Sequence, residues 1–166
     1  LESKDSPFSQ LGINAKDMTT EEMAITANAI YDLSALSRST KDGGKKIQYT
    51  MRLYVKDNSG DYKQTNDISK YLSSFTLENA TPSSGLNGKE CVFTTDYNGE
   101  EQNTAVTKFT VKTGKAFEEQ GLTYANYRVE LTAVLLNDNN SVVNGTTSSD
   151  YVVYTNAKIE TGFINS

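Results

Sequence analysis

Carboxylates, one thiol and ten tyrosines are the side chains of this chain best placed to do chemistry, because histidine and tryptophan are both absent. Without histidine there is no imidazole base for a Ser or Cys triad and no His-containing zinc site. The indole platforms on which sugars often stack are missing too. The adjacent acids Glu21-Glu22, Glu100-Glu101 and Glu118-Glu119 come nearest to the paired carboxylates of a glycosidase. Neighbours on a strand point to opposite faces, however, and nothing in the pattern brings separate pairs to the spacing that hydrolysis needs. They read as solvated charge. No G-x-S-x-G elbow or phosphate-binding glycine loop is present, and Ser69-Lys70, the one pair that invites Ser-Lys catalysis, reads as loop. Cys91 is the single cysteine and stands beside Val92 and Phe93, as expected of a buried, inert thiol. The expectation is therefore no enzymatic activity and no catalytic residue.

Oxygen ligands are more suggestive. Asp57-Asn58-Ser59-Gly60-Asp61 alternates them as a calcium loop begins, and Asp57, Ser59 and Asp61 are the candidate metal ligands. The motif then requires Gly at its sixth position and an acid at its twelfth, where this chain has Tyr62 and Ile68. Asp96 to Glu101 and Asn137 to Asn140 are equally rich in oxygen, and ordinary hairpin turns look the same. No metal and no other cofactor is expected.

The elements that would position any site follow a period of two. Ile25, Ala27, Ala29, Tyr31, Leu33 and Ala35 alternate with mostly polar residues, and Ile47, Tyr49, Met51, Leu53 and Val55 do the same. Two long strands joined by a Gly-containing connection predict an antiparallel pair with odd residues inward. A competing helix over Glu21 to Ser37 has a capping-box spacing, Thr19 to Glu22; the longer alternation favours the strand. Further strands are expected at Asp61 to Gln64, Ser73 to Glu78, Lys89 to Thr95, Thr104 to Thr113, Tyr127 to Leu135 and Ser141 to Val143. The last runs from Tyr151 to Ile159 with its odd residues inward. Turn signals such as Asn98-Gly99 and Asn144-Gly145 separate them. Seven to nine strands without a βαβ unit predict an all-β antiparallel two-sheet sandwich. Residues 1–20 read as an N-terminal extension or linker and residues 21–166 as one domain.

The stretch Leu122-Thr123-Tyr124-Ala125-Asn126-Tyr127-Arg128-Val129-Glu130-Leu131-Thr132-Ala133, followed by a polar loop and a final strand to Ile159, resembles the corner and last strands of immunoglobulin-like and fibronectin-type modules. Tyr124 or Tyr127 would be the corner tyrosine. The Asn-, Thr- and Tyr-rich, acidic texture with one cysteine is similar to the β-sandwich modules of secreted and cell-surface proteins of Gram-positive bacteria. That resemblance implies a spacer or adhesive role and carries over no catalytic residue. Some such modules hold an internal Lys–Asn amide crosslink, but here Lys46, Lys56, Lys108 and Asn156 fall on the outward parity.

A net charge of −5 with 16 basic and 21 acidic residues lacks the cationic excess of a nucleic-acid binder, and no apolar run approaches a membrane span. The chain starts Leu1-Glu2-Ser3 and reads as an excised, monomeric portion of an extracellular or cell-surface protein. The expected function is a non-enzymatic structural or adhesive module whose partner is a host or cell-wall protein or glycan. The alternatives are a carbohydrate-binding module and a phage or pilus subunit. Binding would use outward tyrosines, and parity nominates Tyr54 and Tyr154.

Overall fold

A computed structural model describes residues 8–14, 22–56, 59–112 and 126–155. In chain order its elements are β1 (Phe8–Asn14), β2 (Glu22–Asp32), the short helix α1 (Arg38–Gly43), β3 (Lys46–Lys56), β4 (Tyr62–Gln64), a 3₁₀ turn (Ile68–Lys70) and β5 (Leu72–Leu77). There follow β6 (Thr81–Pro82), β7 (Glu90–Asp96), β8 (Gln102–Lys112), β9 (Asn126–Leu136) and β10 (Ser148–Thr155). They form two antiparallel sheets, a four-stranded one in the order β1-β2-β8-β5 and a six-stranded one in the order β10-β9-β3-β7-β6, with β4 also paired to β3. This is an immunoglobulin-like β-sandwich.

Alternation explains the core. Ile47, Tyr49, Met51 and Leu53 of β3 and Tyr127, Val129, Leu131, Ala133 and Leu135 of β9 are fully buried, and the two strands align Met51 with Leu131. The opposing sheet supplies Ala29 and Tyr31 from β2, Leu72, Phe75 and Leu77 from β5, and Ala105, Phe109 and Val111 from β8. Phe75 spans the interface, with its ring centroid 5.7 Å from that of Phe93 and 5.8 Å from that of Phe109. Cys91 and Phe93 share the inward face of β7, as expected, and burial pushes the Cys91 thiol pKa up. Two buried phenols find acceptors at distant points of the chain. Tyr31 donates to the Thr146 carbonyl, and Tyr49 donates to Asn103 Oδ1 at 2.5 Å.

The structure corrects the pairing of the first long strands. The odd residues of β3 point inward, as do Ala29 and Tyr31 of β2, but the two strands lie in different sheets and face one another across the core. Parity reports which side of a strand is apolar, and both sheets turn an apolar side to the same core. It therefore cannot name the hydrogen-bonded partner. β2 also ends earlier than expected, at Asp32, whose carboxylate accepts from the Ser34 amide at 2.9 Å and turns the chain, leaving Ala35 exposed. The connection that follows contains α1, capped by Ser37 Oγ accepting from the Thr40 amide at 3.2 Å. It passes so close to the core at Gly44 that a Cβ there would lie 2.4 Å from Leu135 Cδ2. No helix replaces β2; Thr19 lies outside the described residues.

Two further corrections concern the chain's ends. The segment expected to be an extension contains β1, which pairs with β2 from Ile13↔Ile25 to Phe8↔Ala29. Its alternation is hidden by a register shift between Phe8 and Gln10 and by Gly12. In β10 the parity is reversed: Ser148 is buried and Tyr151 is exposed, with Tyr151 opposite Glu130. In the sequence the run Tyr151-Val152-Val153-Tyr154 has one tyrosine and one valine at each parity, so either register satisfies the pattern. Ser141 to Val143 forms only a bridge, Val142 to Leu136. Lys46 and Lys108 are exposed and Lys56 is half-buried, whereas Asn156 lies outside the described residues.

Candidate tyrosine-arginine surface on the larger sheet

The outward face of the six-stranded sheet is built from the even positions of β3 and β4, from Arg128, Glu130 and Thr132 of β9, and from Ser149 and Tyr151 of β10. Register fixes its rows. Gln64, Tyr54, Arg128 and Val153 align across β4, β3, β9 and β10, and the neighbouring row contains Arg52, Glu130 and Tyr151. Tyr62 lies opposite Lys56. Gly60, with φ of 93°, supplies the left-handed backbone that returns the chain from β3 into β4.

These rows place tyrosines from strands on either side of β9 against Arg128. Its guanidinium carbon is 4.5 Å from the ring centroids of both Tyr62 and Tyr151 and 5.8 Å from that of Tyr54. Lys56 Nζ stands 5.7 Å from the Tyr62 ring. Ring quadrupoles attract cations at these distances. Burial pushes the Tyr62 phenol pKa up, and the Arg128 charge opposes that rise.

Neighbouring Arg52 is satisfied differently. It makes ion pairs with Glu90 at 2.6 Å and Glu130 at 3.4 Å and reaches Thr132 Oγ1 at 3.4 Å. Among the described residues no carboxylate pairs with Arg128, and its buried Nε has no hydrogen-bond partner. The face therefore carries one neutralised arginine and one whose charge is held by aromatic rings. Chemically, it can accept an anionic or polar group at the guanidinium and an apolar surface at a ring.

Of the residues nominated from sequence, Tyr54 lies on this face. Tyr154 pairs in register with the fully buried Tyr127, and its side chain lies outside the described residues. Register thus gives Tyr54 and Tyr154 opposite parity, and Tyr151 is the β10 tyrosine on the outward face. Tyr62 and Arg128 were missed, although Arg128 sits at an even position of the clearest strand and Tyr62 follows the Gly60 turn by two residues. Of the corner tyrosines, Tyr127 is fully buried and meets Tyr71 edge-on at 5.7 Å, while Tyr124 lies outside the described residues.

The candidate metal loop is only partly in view. Asp57 is outside the described residues, and Ser59 Oγ donates to Asp61 Oδ2 at 3.3 Å. Among the described residues no three His, Cys, Asp or Glu side chains gather as a metal site would need. No helix among them is long and apolar enough to cross a membrane.

No family model matches the chain, and no curated protein matches it. Among solved structures it is similar to that of Streptococcus parasanguinis Fap1 fimbriae, at 19% identity over 96% of this chain and 85% of that one, with a TM-score of 0.48. The collagen-binding domain of a Staphylococcus aureus adhesin is 10% identical over 93% of this chain and 100% of that one, with a TM-score of 0.41. AggA, the major subunit of Escherichia coli aggregative adherence fimbriae type I, is 8% identical over 93% and 94%, with a TM-score of 0.38. By their descriptions, two of these three come from fimbriae and one from an adhesin.

Proposed function

We propose that the chain is a non-enzymatic adhesive or structural module of a larger bacterial surface protein, working outside the cell, and that it makes contact through the outward face of its six-stranded sheet. The observation that carries this reading is the convergence of Tyr54, Tyr62 and Tyr151 on Arg128. Tyrosine and arginine contribute disproportionately to binding energy, because a ring offers a large contact area with few rotors and a guanidinium offers directed donors. The strands beneath are fixed by buried apolar rows on their other side, so the surface is organised before a partner arrives. Preorganisation of that kind reduces the entropy lost on binding.

A second reading, carbohydrate binding, is favoured by one observation: Tyr151 is 44% exposed and stands beside a cation. Both readings are tested by coating beads with the module and measuring retention on immobilised glycans and matrix proteins. Retention that falls on Tyr54→Ala/Tyr151→Ala, with the melting temperature preserved, supports the contact face. Beads that are not retained anywhere leave the module a spacer and refute the adhesive half of the proposal.

A further inference from the structure

We propose that Arg128 and Tyr151 form a binding site for a terminal carboxylated sugar of an acidic glycan. The inference rests on the contact-face reading above and narrows it to one ligand chemistry. Two arginines stand on neighbouring outward strands, yet only Arg52 has carboxylates, Glu90 and Glu130, to neutralise it. Arg128 instead has rings against it and no carboxylate partner among the described residues. An aromatic ring attracts a guanidinium without neutralising its charge, so the cation keeps its capacity for an anion at its N–H groups. Those groups suit the two oxygens of a carboxylate.

Tyr151 decides what should carry that carboxylate. The residue is 44% exposed and its ring centroid lies 4.5 Å from the guanidinium carbon, so one ligand can meet both groups at once. A pyranose bearing a carboxylate on a ring carbon fits this juxtaposition: its C–H face covers the tyrosine while the acid reaches Arg128. An acidic peptide fits less well. The chain carries a net charge of −5 and Glu90 and Glu130 stand in the adjoining row, so a run of carboxylates is repelled where a single one is accepted.

The test is calorimetric titration of the folded module with methyl β-glucuronide, methyl β-glucoside and an acetylated triglutamate peptide. The glucuronide should bind about tenfold or more tightly than the glucoside, as expected for one charge-assisted hydrogen-bonded pair, and the preference should shrink as salt is raised. Arg128→Gln should abolish the preference at an unchanged melting temperature. Arg128→Lys, which keeps the charge and loses the fork, should restore part of it, and Tyr151→Ala should weaken both sugars. Equal affinity for the two sugars, indifference to Arg128→Gln, or tighter binding of the peptide would overturn the assignment. If neither sugar binds while bead retention still depends on Tyr54 and Tyr151, the ligand class is wrong and the contact face stands. If retention ignores them as well, both readings fail.

Discussion

Leu131→Ala probes the sandwich where it is most tightly held. Leu131 is fully buried in the middle of β9, in register with Met51 of β3 on one side and Asp150 of β10 on the other. Truncation removes three carbons, worth about 2.4 kcal/mol at about 0.8 kcal/mol per buried methylene. Because β9 is hydrogen-bonded along both edges, its backbone cannot move inward to fill the hole, and the cavity raises the loss to about 3–4 kcal/mol. For a chain of this size that corresponds to a fall in melting temperature of roughly 6–16 °C. Urea unfolding should show the loss as a lower midpoint at constant m-value. The neighbouring Glu130 points outward, and its 3.4 Å pair with Arg52 is partly solvated. Glu130→Ala should therefore cost less than about 1 kcal/mol. Equal losses at Leu131 and Glu130 would refute the assignment of inward and outward faces.

Three other outcomes follow from the same packing. Burial raises the Tyr31 phenol pKa from 10.0 to about 12 and pushes the Tyr49 phenol up as well. Their neutral forms thus stabilise the fold fully below about pH 10; the Tyr31 contribution is lost as pH rises through about 12, and that of Tyr49 is lost at still higher pH. Tyrosinate absorbance should show these two groups titrating only above the ordinary range or together with unfolding, whereas titration near pH 10 in the folded state would contradict their burial. Gly44→Ala should destabilise by about 1–3 kcal/mol, read from the urea midpoint, because the new Cβ would meet Leu135 at 2.4 Å; a neutral effect would show that the chain can move away from the core there. Chelator should leave the melting temperature unchanged and the intact mass should equal the sequence mass. A chelator-induced drop would point to the loop at Asp57, Ser59 and Asp61, and loss of ammonia from the mass would reveal an amide crosslink.

How much of this was legible in the sequence depends on what an alternating pattern encodes. The inward rows of β3, β8 and β9 could be read directly, because one parity is apolar and the other polar over many residues. The partner of β2 could not, since two strands in one sheet and two strands facing across a core present the same alternation. The parity of β10 was undetermined because tyrosine and valine occupy both of its faces. That ambiguity also bears on the nominated tyrosines: parity puts Tyr54 outward, where it meets Arg128, but it assigns the exposed Tyr151 to the core and nominates Tyr154. Arg128 and Tyr62 are 66 positions apart in the chain and meet only because β9 and β4 flank β3 on opposite edges. Sheet order, which local periodicity does not carry, brings them together.

The contact face is tested most directly by blocking it. Cys91 is buried, so a single engineered surface cysteine can be labelled selectively with a maleimide-linked polyethylene glycol. Gln64→Cys places the polymer on the exposed end of β4 in register with Tyr54, and Thr76→Cys places it on exposed β5 in the other sheet. Beads coated with each labelled module are then tested for retention on the immobilised glycans and matrix proteins. The account predicts that polymer at position 64 abolishes retention while polymer at position 76 leaves it intact; retention lost only at position 76, or unaffected at both, would contradict it.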